Sequence, residues 1–223
     1  MELRKVCWSE YTRSEDMIAT KNITKEEARN YEKKRFTRRD EMKRLNNFEK
    51  AFAQRLFSMT GSYSRIVDIP CGNGRFFNIF SDARKLTMID RSANMLEACK
   101  EKFGDSENVR FLQADILSIP LPDSSADLCF SMRLFHHMQN DQDRLKALKE
   151  LARISRKYVA ISFYNKNCLR FYWRKVLNKK IRGYYVTFDH IANLAKYTGL
   201  DTVERFPKLN LIEQQCLVIL KKT

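Results

Sequence analysis

The chain has 223 residues, of which 43% are hydrophobic, and it carries 42 Lys and Arg against 27 Asp and Glu, a formal net charge of +15. Such a chain is long enough for one globular domain with a hydrophobic core. No apolar run reaches the ~18 residues of a spanning helix, and the polar N-terminus lacks a secretion signal, which excludes membrane-spanning and secreted classes and predicts a cytoplasmic protein. Six scattered cysteines without C-x-x-C pairs or nearby His predict neither a disulfide scaffold nor a metal site.

The positive charge is concentrated in two segments. Residues 1–65 hold 16 basic and 10 acidic side chains, and residues 164–185 hold seven basic and no acidic ones. Between them, residues 66–163 are nearly balanced, with 14 against 13. The pattern predicts a neutral scaffold with two basic attachments.

The N-terminal segment up to residue 60 is predicted to be helical. Thr24 followed three positions later by Glu27 is a capping-box pattern, and it predicts one or two helices within residues 24–59. Apolar side chains recur along this stretch with dense charge between them, at Tyr31, Phe36, Leu45, Phe48, Phe52 and Leu56.

Strands and helices alternate through the rest of the chain, residues 61–223. Five apolar strands are predicted, at RIVDI, KLTMID, NVRFLQAD, ADLCFSMRL and KYVAISFY. The helices between and after them are RFFNIFSDA, SANMLEACKEKFG with Ser92 as N-cap and Gly104 as stop, DQDRLKALKELARI, and DHIANLAKYTGL with Asp189 as N-cap and Gly199 as stop. Two last strands, DTVERFP and EQQCLVILKK, flank a turn at Pro207. This alternation predicts an α/β fold with a parallel sheet covered by helices on both faces.

A basic aromatic insertion at residues 164–185 follows the fifth strand. One helical stripe is apolar, at Leu169, Trp173, Val176, Leu177 and Ile181, and the rest is basic, at Arg170, Arg174, Lys175, Lys179 and Arg182. Three interpretations stay open: a cap over the active site whose stripe packs on the core, a helix on an anionic membrane surface, and an RNA contact.

The segment V-D-I-P-C-G-N-G-R ends the first strand and opens a helix. Glycines there let the backbone approach a ligand, and the free N–H groups of a helix start favour an anionic or polar group. A dinucleotide fingerprint requires a third glycine where Phe77 stands, which weakens that interpretation. Asp68 instead precedes the glycines, where a carboxylate suits an ammonium group.

Three acidic residues, Asp68, Asp90 and Asp115, end three successive strands. The carboxyl ends of parallel strands meet at one edge of a sheet, so these side chains are expected to line one crevice. Asp90 would accept hydrogen bonds from both hydroxyls of a ribose, and Asp115 would accept one from an exocyclic adenine amine.

With these motifs, residues 65–163 resemble the class I S-adenosylmethionine-dependent methyltransferases, in particular those that act on small molecules, lipids and sugars. The resemblance rests on VDIPCGNGR, LTMIDRSANMLEACK, VRFLQADILSIPLPDSSADLCFSMRLFHHM and LKALKELARIS. It implies a Rossmann-like, doubly wound, mostly parallel seven-stranded sheet with an antiparallel last strand, and S-adenosylmethionine as cofactor. It also implies that residues 1–60 form a helical lid on a methyltransferase domain at 61–223.

The resemblance further implies residue roles. Asp68, Gly72 and Gly74 would surround the methionine part of the cofactor, Asp90 would hold the ribose, Met95 an adenine face, and Asp115 with Ile116 the adenine edge. Pro70 replaces the family's usual first glycine, which removes one backbone donor and fixes φ near about −65°. Tyr31 and Arg35 of the lid would meet the cofactor carboxylate. The remaining candidates for cofactor contact are Cys71, Arg91 and Met132.

Two of the three histidines lie in SMRLFHHM after the fourth strand, a segment that in this family faces both the sulfonium and the substrate. His137, and next His136, are the candidate catalytic residues, because a neutral histidine can take a proton from a hydroxyl or amine. The alternative is that one of them packs under the loop or caps the next helix. In-line displacement on a sulfonium also needs no strong base when positioning is good.

The expected function is methyl transfer from S-adenosylmethionine to oxygen or nitrogen of a small-molecule, lipid-linked or sugar-linked acceptor that is anionic. No N/D-P-P-Y/F tetrapeptide follows the fourth strand, and no Pro-Cys pair suits a nucleophile for pyrimidine carbon chemistry, which weakens a base-methylating interpretation. The alternatives are an RNA methyltransferase and a non-catalytic partner subunit. Peripheral contact with the inner membrane surface is an alternative to a purely cytoplasmic location.

Overall fold

A computed structural model describes residues 23–36, 39–62, 64–179, 181, 183–206 and 214–223. The predicted turn at Pro207 and Arg182, one of the basic residues of the insertion, lie outside these ranges. The strands are β1 (Arg65–Asp68), β2 (Lys85–Asp90), β3 (Val109–Gln113), β4 (Ala126–Ser131), β5 (Ser155–Asn165), β6 (Tyr185–Val186), β7 (Leu200–Phe206) and β8 (Gln215–Lys222). The helices are α1 (Lys25–Arg29), α2 (Tyr31–Phe36), α3 (Asp40–Thr60), α4 (Phe77–Phe80), α5 (Ala93–Phe103), α6 (Asp141–Ile154), α7 (Leu169–Val176) and α8 (Phe188–Lys196).

The strands form one sheet in the order β3-β2-β1-β4-β5-β8-β7. Strands β1 to β5 are parallel, and β8 runs antiparallel between β5 and β7. The predicted α/β, mostly parallel sheet with an antiparallel last strand is confirmed. An eighth strand, β6, pairs with the end of β5 and was not predicted, because two residues carry no periodic signal.

Apolar side chains fill the space on both faces of the sheet. One cluster includes Ile89, Leu151 and Phe163, and a second includes Phe80 and Phe130. Two separate cores follow from helices covering both faces, as the alternating pattern predicted. Among the described residues, no helix is both long and apolar enough to cross a membrane.

The described residues before β1 form three helices, where one or two were predicted within residues 24–59. The Thr24 capping box is present: Glu27 N–H donates to the Thr24 hydroxyl over 3.2 Å, and Thr24 N–H donates to the Glu27 carboxylate over 3.1 Å. Two surface ion pairs join α1 to α5, Lys25 to Glu97 and Arg29 to Glu101, each at 2.7 Å. Exposed pairs contribute at most about 1 kcal/mol each, so they orient this contact more than they stabilise it.

Local boundaries differ from the sequence prediction at two helices. Helix α8 is capped by Thr187, whose hydroxyl accepts from His190 N–H at 3.2 Å, and not by Asp189, which lies in its first turn. The helix predicted over RFFNIFSDA shrinks to the single turn α4. Ser92 and Gly104 do cap α5 as predicted.

Candidate active site

A cavity of about 900 Å³ lies at the carboxyl ends of β1, β2 and β4. The strand order reverses between β1 and β4, and open α/β sheets bind ligands at such a point. Ten of the predicted site residues line it: Tyr31, Arg35, Pro70, Cys71, Gly72, Asp90, Arg91, Met95, Met132 and His137. Five do not, namely Asp68, Gly74, Asp115, Ile116 and His136.

Helix α2 and Ile23, which precedes α1, line one side of this cavity. The Asn73 side chain donates to the Ala28 carbonyl at 3.0 Å, and the Asn94 side chain donates to the Ile23 carbonyl at 2.7 Å. The Arg35 guanidinium donates to the Tyr31 hydroxyl and lies 5.4 Å from the centre of that ring. The N-terminal helices are therefore joined to both loops that carry the predicted cofactor contacts.

Asp90 is held in place by the backbone. Its two carboxylate oxygens accept from Gly72 N–H and Ser92 N–H, each at 2.8 Å. Burial raises the pKa of this carboxyl, and the backbone hydrogen bonds oppose that rise. Each oxygen keeps a second lone pair, so the fixed carboxylate can accept two further hydrogen bonds.

Asp68 is wholly buried, and neither of its carboxylate oxygens has a hydrogen-bond partner in the described part of the chain. Burial raises its pKa well above the ordinary range; Arg75 opposes the rise, and Asp90 adds to it. An unpartnered buried carboxyl is costly unless a cation or donor reaches it. Asp68 is not part of the cavity wall. Its contact with an ammonium group stays a prediction.

The two glycines of the loop have different surroundings. Both have positive φ, +56° at Gly72 and +82° at Gly74. A Cβ on Gly72 would meet nothing within 4 Å, whereas one on Gly74 would lie 2.5 Å from the Phe103 ring and 2.6 Å from Cys99 Sγ. Gly74 is thus required for close packing of the loop against α5.

Asp115 and Ile116 lie beside the cavity. Asp115 accepts from Leu117 N–H at 2.9 Å and lies 3.5 Å from the Arg91 guanidinium, which does line the cavity. Ile116 is buried in the core under the sheet. The adenine-edge roles of both residues remain predictions.

The two histidines share one 3₁₀ turn, Phe135–His137, but differ in environment. His136 is buried and stacks on Tyr164, with ring centroids 3.9 Å apart. Neither of its ring nitrogens has a hydrogen-bond partner among the described residues. Burial lowers its pKa well below 6.5, with His137, Arg133 and Arg35 adding to the effect, so His136 is a neutral packing residue under the loop.

His137 is exposed at the cavity wall. Partial desolvation and the charges of Arg35 and Arg133 lower its pKa. It is therefore neutral at neutral pH, with one ring nitrogen as donor and the other as acceptor.

A buried cluster of charges at the cavity was missed by the sequence analysis. Glu49 of α3, fully buried, accepts from Arg75 at 2.5 Å and from Arg133 at 2.9 Å. Both guanidinium carbons lie within 5 Å of the Phe36 ring centre, at 4.5 and 4.8 Å. No local pattern could have revealed the cluster, because its members come from three separate parts of the chain.

This cluster leaves one strong donor unused. Arg133 Nη2 is buried and has no hydrogen-bond partner in the described part of the chain, although the Nε of the same side chain binds both Glu49 oxygens. Four arginines line the cavity, Arg35, Arg75, Arg91 and Arg133; two of them pair with Glu49, and Arg91 lies 3.5 Å from Asp115. The cavity wall is therefore positive and suits an anion.

Comparison with known proteins shows the class of this site. Residues 67–161 match the family model described as "Methyltransferase domain". The chain is 38% identical over 97 residues, 43% of its length, to a tRNA (carboxymethyluridine(34)-5-O)-methyltransferase of Mus musculus, and spans 13% of that protein. It is 32% identical over 123 residues, 54% of its length, to a malonyl-[acyl-carrier protein] O-methyltransferase of Pectobacterium atrosepticum, and spans 46% of that protein.

The fold has close structural counterparts. Magnesium protoporphyrin IX methyltransferase from Synechocystis PCC 6803, with bound S-adenosylhomocysteine, superposes with a TM-score of 0.72 at 12% identity, covering 89% of this chain and 98% of that one. The fold and the matched motifs are those of a class I S-adenosylmethionine-dependent methyltransferase. Residues 67–161 match the methyltransferase domain family, and the structural counterparts from Synechocystis PCC 6803 contain bound S-adenosylhomocysteine or S-adenosylmethionine.

Proposed function

We propose that this chain binds S-adenosylmethionine in the cavity and transfers its methyl group to an anionic acceptor. The predicted class was oxygen or nitrogen of a small-molecule, lipid-linked or sugar-linked acceptor. The observation that carries the proposal further is the set of arginines that line the cavity beside His137, namely Arg35, Arg75, Arg91 and Arg133, which favours a carboxylate oxygen.

The residues at the cavity fit the cofactor. Asp90 offers two carboxylate lone pairs to the ribose hydroxyls. Gly72, which has no side chain, lets the backbone beside Asp90 approach the ligand closely. Met95 and Met132 supply apolar walls, and Arg35 a charge for the cofactor carboxylate. When bound, the cofactor supplies a methyl carbon on a positively charged sulfur, and the acceptor oxygen takes that carbon while the C–S electron pair stays with sulfur.

A carboxylate acceptor agrees with the chemistry of the wall. A guanidinium in the cavity wall forms stronger, charge-assisted hydrogen bonds with an anion than with a neutral acceptor. A carboxylate is already ionised at neutral pH and needs no general base, which agrees with the lowered pKa of His137. Neutral His137 would donate an N–H to the acceptor and orient it for in-line attack.

The names of two relatives agree with this chemistry. The carboxymethyl and malonyl groups in those names each carry a carboxyl group. Because the shared stretch is only 13% and 46% of those proteins, the acceptor class rests on the arginine wall of this chain rather than on their names.

The test uses methyl-labelled S-adenosylmethionine with separate pools of metabolites, extracted lipids, polysaccharide and RNA. A carboxylate acceptor gives a methyl ester, which mild alkali cleaves to release labelled methanol. Label that enters a pool and is released by alkali supports the proposal. Label that withstands alkali indicates an amine or ether product and contradicts the carboxylate.

RNA methylation is a second candidate, favoured by the 38% identity to the tRNA methyltransferase. It predicts that label enters the RNA pool and that nuclease digestion, not lipid extraction, releases it. Alkali-labile label on a nucleoside would support both candidates, because the acceptor would then be a carboxylate that is part of RNA.

A histidine substitution tests the orienting role. His137→Ala is expected to lower turnover about 10-fold or more, the effect of losing one hydrogen bond to a charged group, while the affinity for S-adenosylhomocysteine stays unchanged. Since the pKa of His137 is lowered from 6.5, the ring is neutral above about pH 7.5 and the wild-type rate should not vary with pH there. A rate that falls as the ring is protonated at lower pH would show that the histidine acts as a base, and equal loss of turnover and cofactor affinity would show that it only packs.

A further inference from the structure

Helix α7 presents its apolar side to solvent. Four of its side chains and the next residue form this outer face of α7, with exposed fractions of 48% for Leu169, 52% for Tyr172, 62% for Trp173, 81% for Val176 and 49% for Leu177. At about 100° per residue these positions span an arc of roughly 140°. Such an arc normally faces the core. None of the residues of α7 is buried, so the predicted cap whose stripe packs on the core is wrong.

The helix is nevertheless fastened to the protein by its other side. Phe171 lies nearly opposite the outer face and contacts the Tyr185 ring, with centroids 4.9 Å apart. The Arg170 guanidinium pairs with Glu41 of α3. The outward direction of the apolar arc therefore results from specific contacts that hold the helix in one rotation.

Charge identifies the kind of surface that fits. Residues 164–185 carry seven basic side chains and no acidic one, and Lys166, Lys175 and Lys179 are exposed around the apolar arc. An anionic partner is therefore required. RNA would use the cations and the aromatic rings, but exposed aliphatic side chains such as Val176 and Leu177 gain little from stacking on bases.

An anionic bilayer surface uses every part of this segment. Aliphatic and aromatic side chains enter the boundary between headgroups and acyl chains, while lysines meet lipid phosphates. We propose that α7 docks this protein on anionic membranes through its outer face.

Docking there would bring the cavity to the membrane. The segment after α7 is joined to the histidine turn, because Tyr184 N–H donates to the His136 carbonyl at 2.8 Å and Tyr164 stacks on the His136 ring. An acceptor carried by a lipid would then enter from the bilayer. The docking itself does not depend on methyl transfer, so its test uses neither cofactor nor acceptor.

The experiment is co-sedimentation of the whole chain with vesicles of phosphatidylcholine alone or mixed equally with phosphatidylglycerol. Wild type is expected to sediment with the anionic vesicles, with a blue shift of Trp173 fluorescence, and only weakly with the neutral ones. Lys175→Gln with Lys179→Gln should weaken partitioning about 30-fold, the change for two charges at about 1 kcal/mol each. Trp173→Ser with Val176→Ser should weaken it on both vesicle types.

Matched controls remove equal charge and equal apolar area elsewhere. Lys146→Gln with Lys149→Gln changes two exposed lysines of α6, and Tyr197→Ser removes an aromatic side chain that is 83% exposed. Both should sediment like wild type, and circular dichroism should show all variants folded. Wild type that stays in the supernatant, or controls that lose as much as the α7 variants, would overturn the proposal. So would salt-sensitive RNA binding that depends on Lys175 and Lys179 without vesicle binding.

Discussion

Glu49→Gln is expected to lower the free energy of unfolding by about 3–5 kcal/mol, the cost of removing one partner from a buried ionic group. Glu49 is fully buried, and its two oxygens accept from Arg75 and from Arg133, whose side chains are only 9% and 10% exposed. Without the carboxylate, two guanidinium groups would face each other in a desolvated place. Urea denaturation followed by circular dichroism measures the loss.

Two further variants make this result specific. Glu97→Gln breaks an exposed pair with Lys25 and should cost no more than about 1 kcal/mol. Replacing Glu49, Arg75 and Arg133 together by Met removes all three buried charges and should recover much of the stability, because apolar replacements of whole buried ionic groups are often neutral. If Glu49→Gln and Glu97→Gln unfold at the same denaturant concentration, the buried cluster does not stabilise the fold.

Gly74→Ala is expected to destabilise the protein by about 2–4 kcal/mol. Overpacking contributes about 1–3 kcal/mol, because the new Cβ would lie 2.5 Å from the Phe103 ring and 2.6 Å from Cys99 Sγ. The positive φ of +82° adds about 1 kcal/mol. The measurement is the free energy of unfolding in urea, with no ligand present.

Gly72→Ala is the matched control for backbone strain. Its φ is +56°, and a Cβ there meets nothing within 4 Å, so only about 1 kcal/mol should be lost. The difference between the two variants isolates the packing of the loop against α5. Equal losses would mean that the loop moves away from α5 at little cost.

The sheet and the ends of its first strands could be predicted because local signals agree there. Each of these strands is a short apolar run. Asp68 ends β1 and is followed by the two glycines, and Asp90 ends β2. The N-cap was predicted correctly for α5 and wrongly for α8. Ser92 has no competitor, but Thr187 and Asp189 are both acceptable caps two residues apart, and tertiary contacts decided between them.

Contacts between distant segments could not be predicted from the sequence. Glu49 lies 26 residues from Arg75 and 84 from Arg133, and on its own helix it looks like one more surface charge. The helical stripe was predicted from Leu169 to Ile181, but α7 ends at Val176 and Ile181 lies outside it. Periodicity also says only that a face is apolar and not what covers it. Gly74 was assigned to the ligand, although its bare backbone faces α5.

Calorimetric titration with S-adenosylhomocysteine tests the central claim most directly, because it needs no acceptor. The account predicts one binding site, and it predicts that Asp90→Ala weakens binding about 10- to 150-fold, corresponding to about 1.5–3 kcal/mol for lost hydrogen bonds to a charged group. Asp201→Ala, which removes an exposed carboxylate on β7, should leave the affinity unchanged. Absence of heat and of any thermal shift in the wild-type protein would contradict the account and would favour a non-catalytic partner subunit.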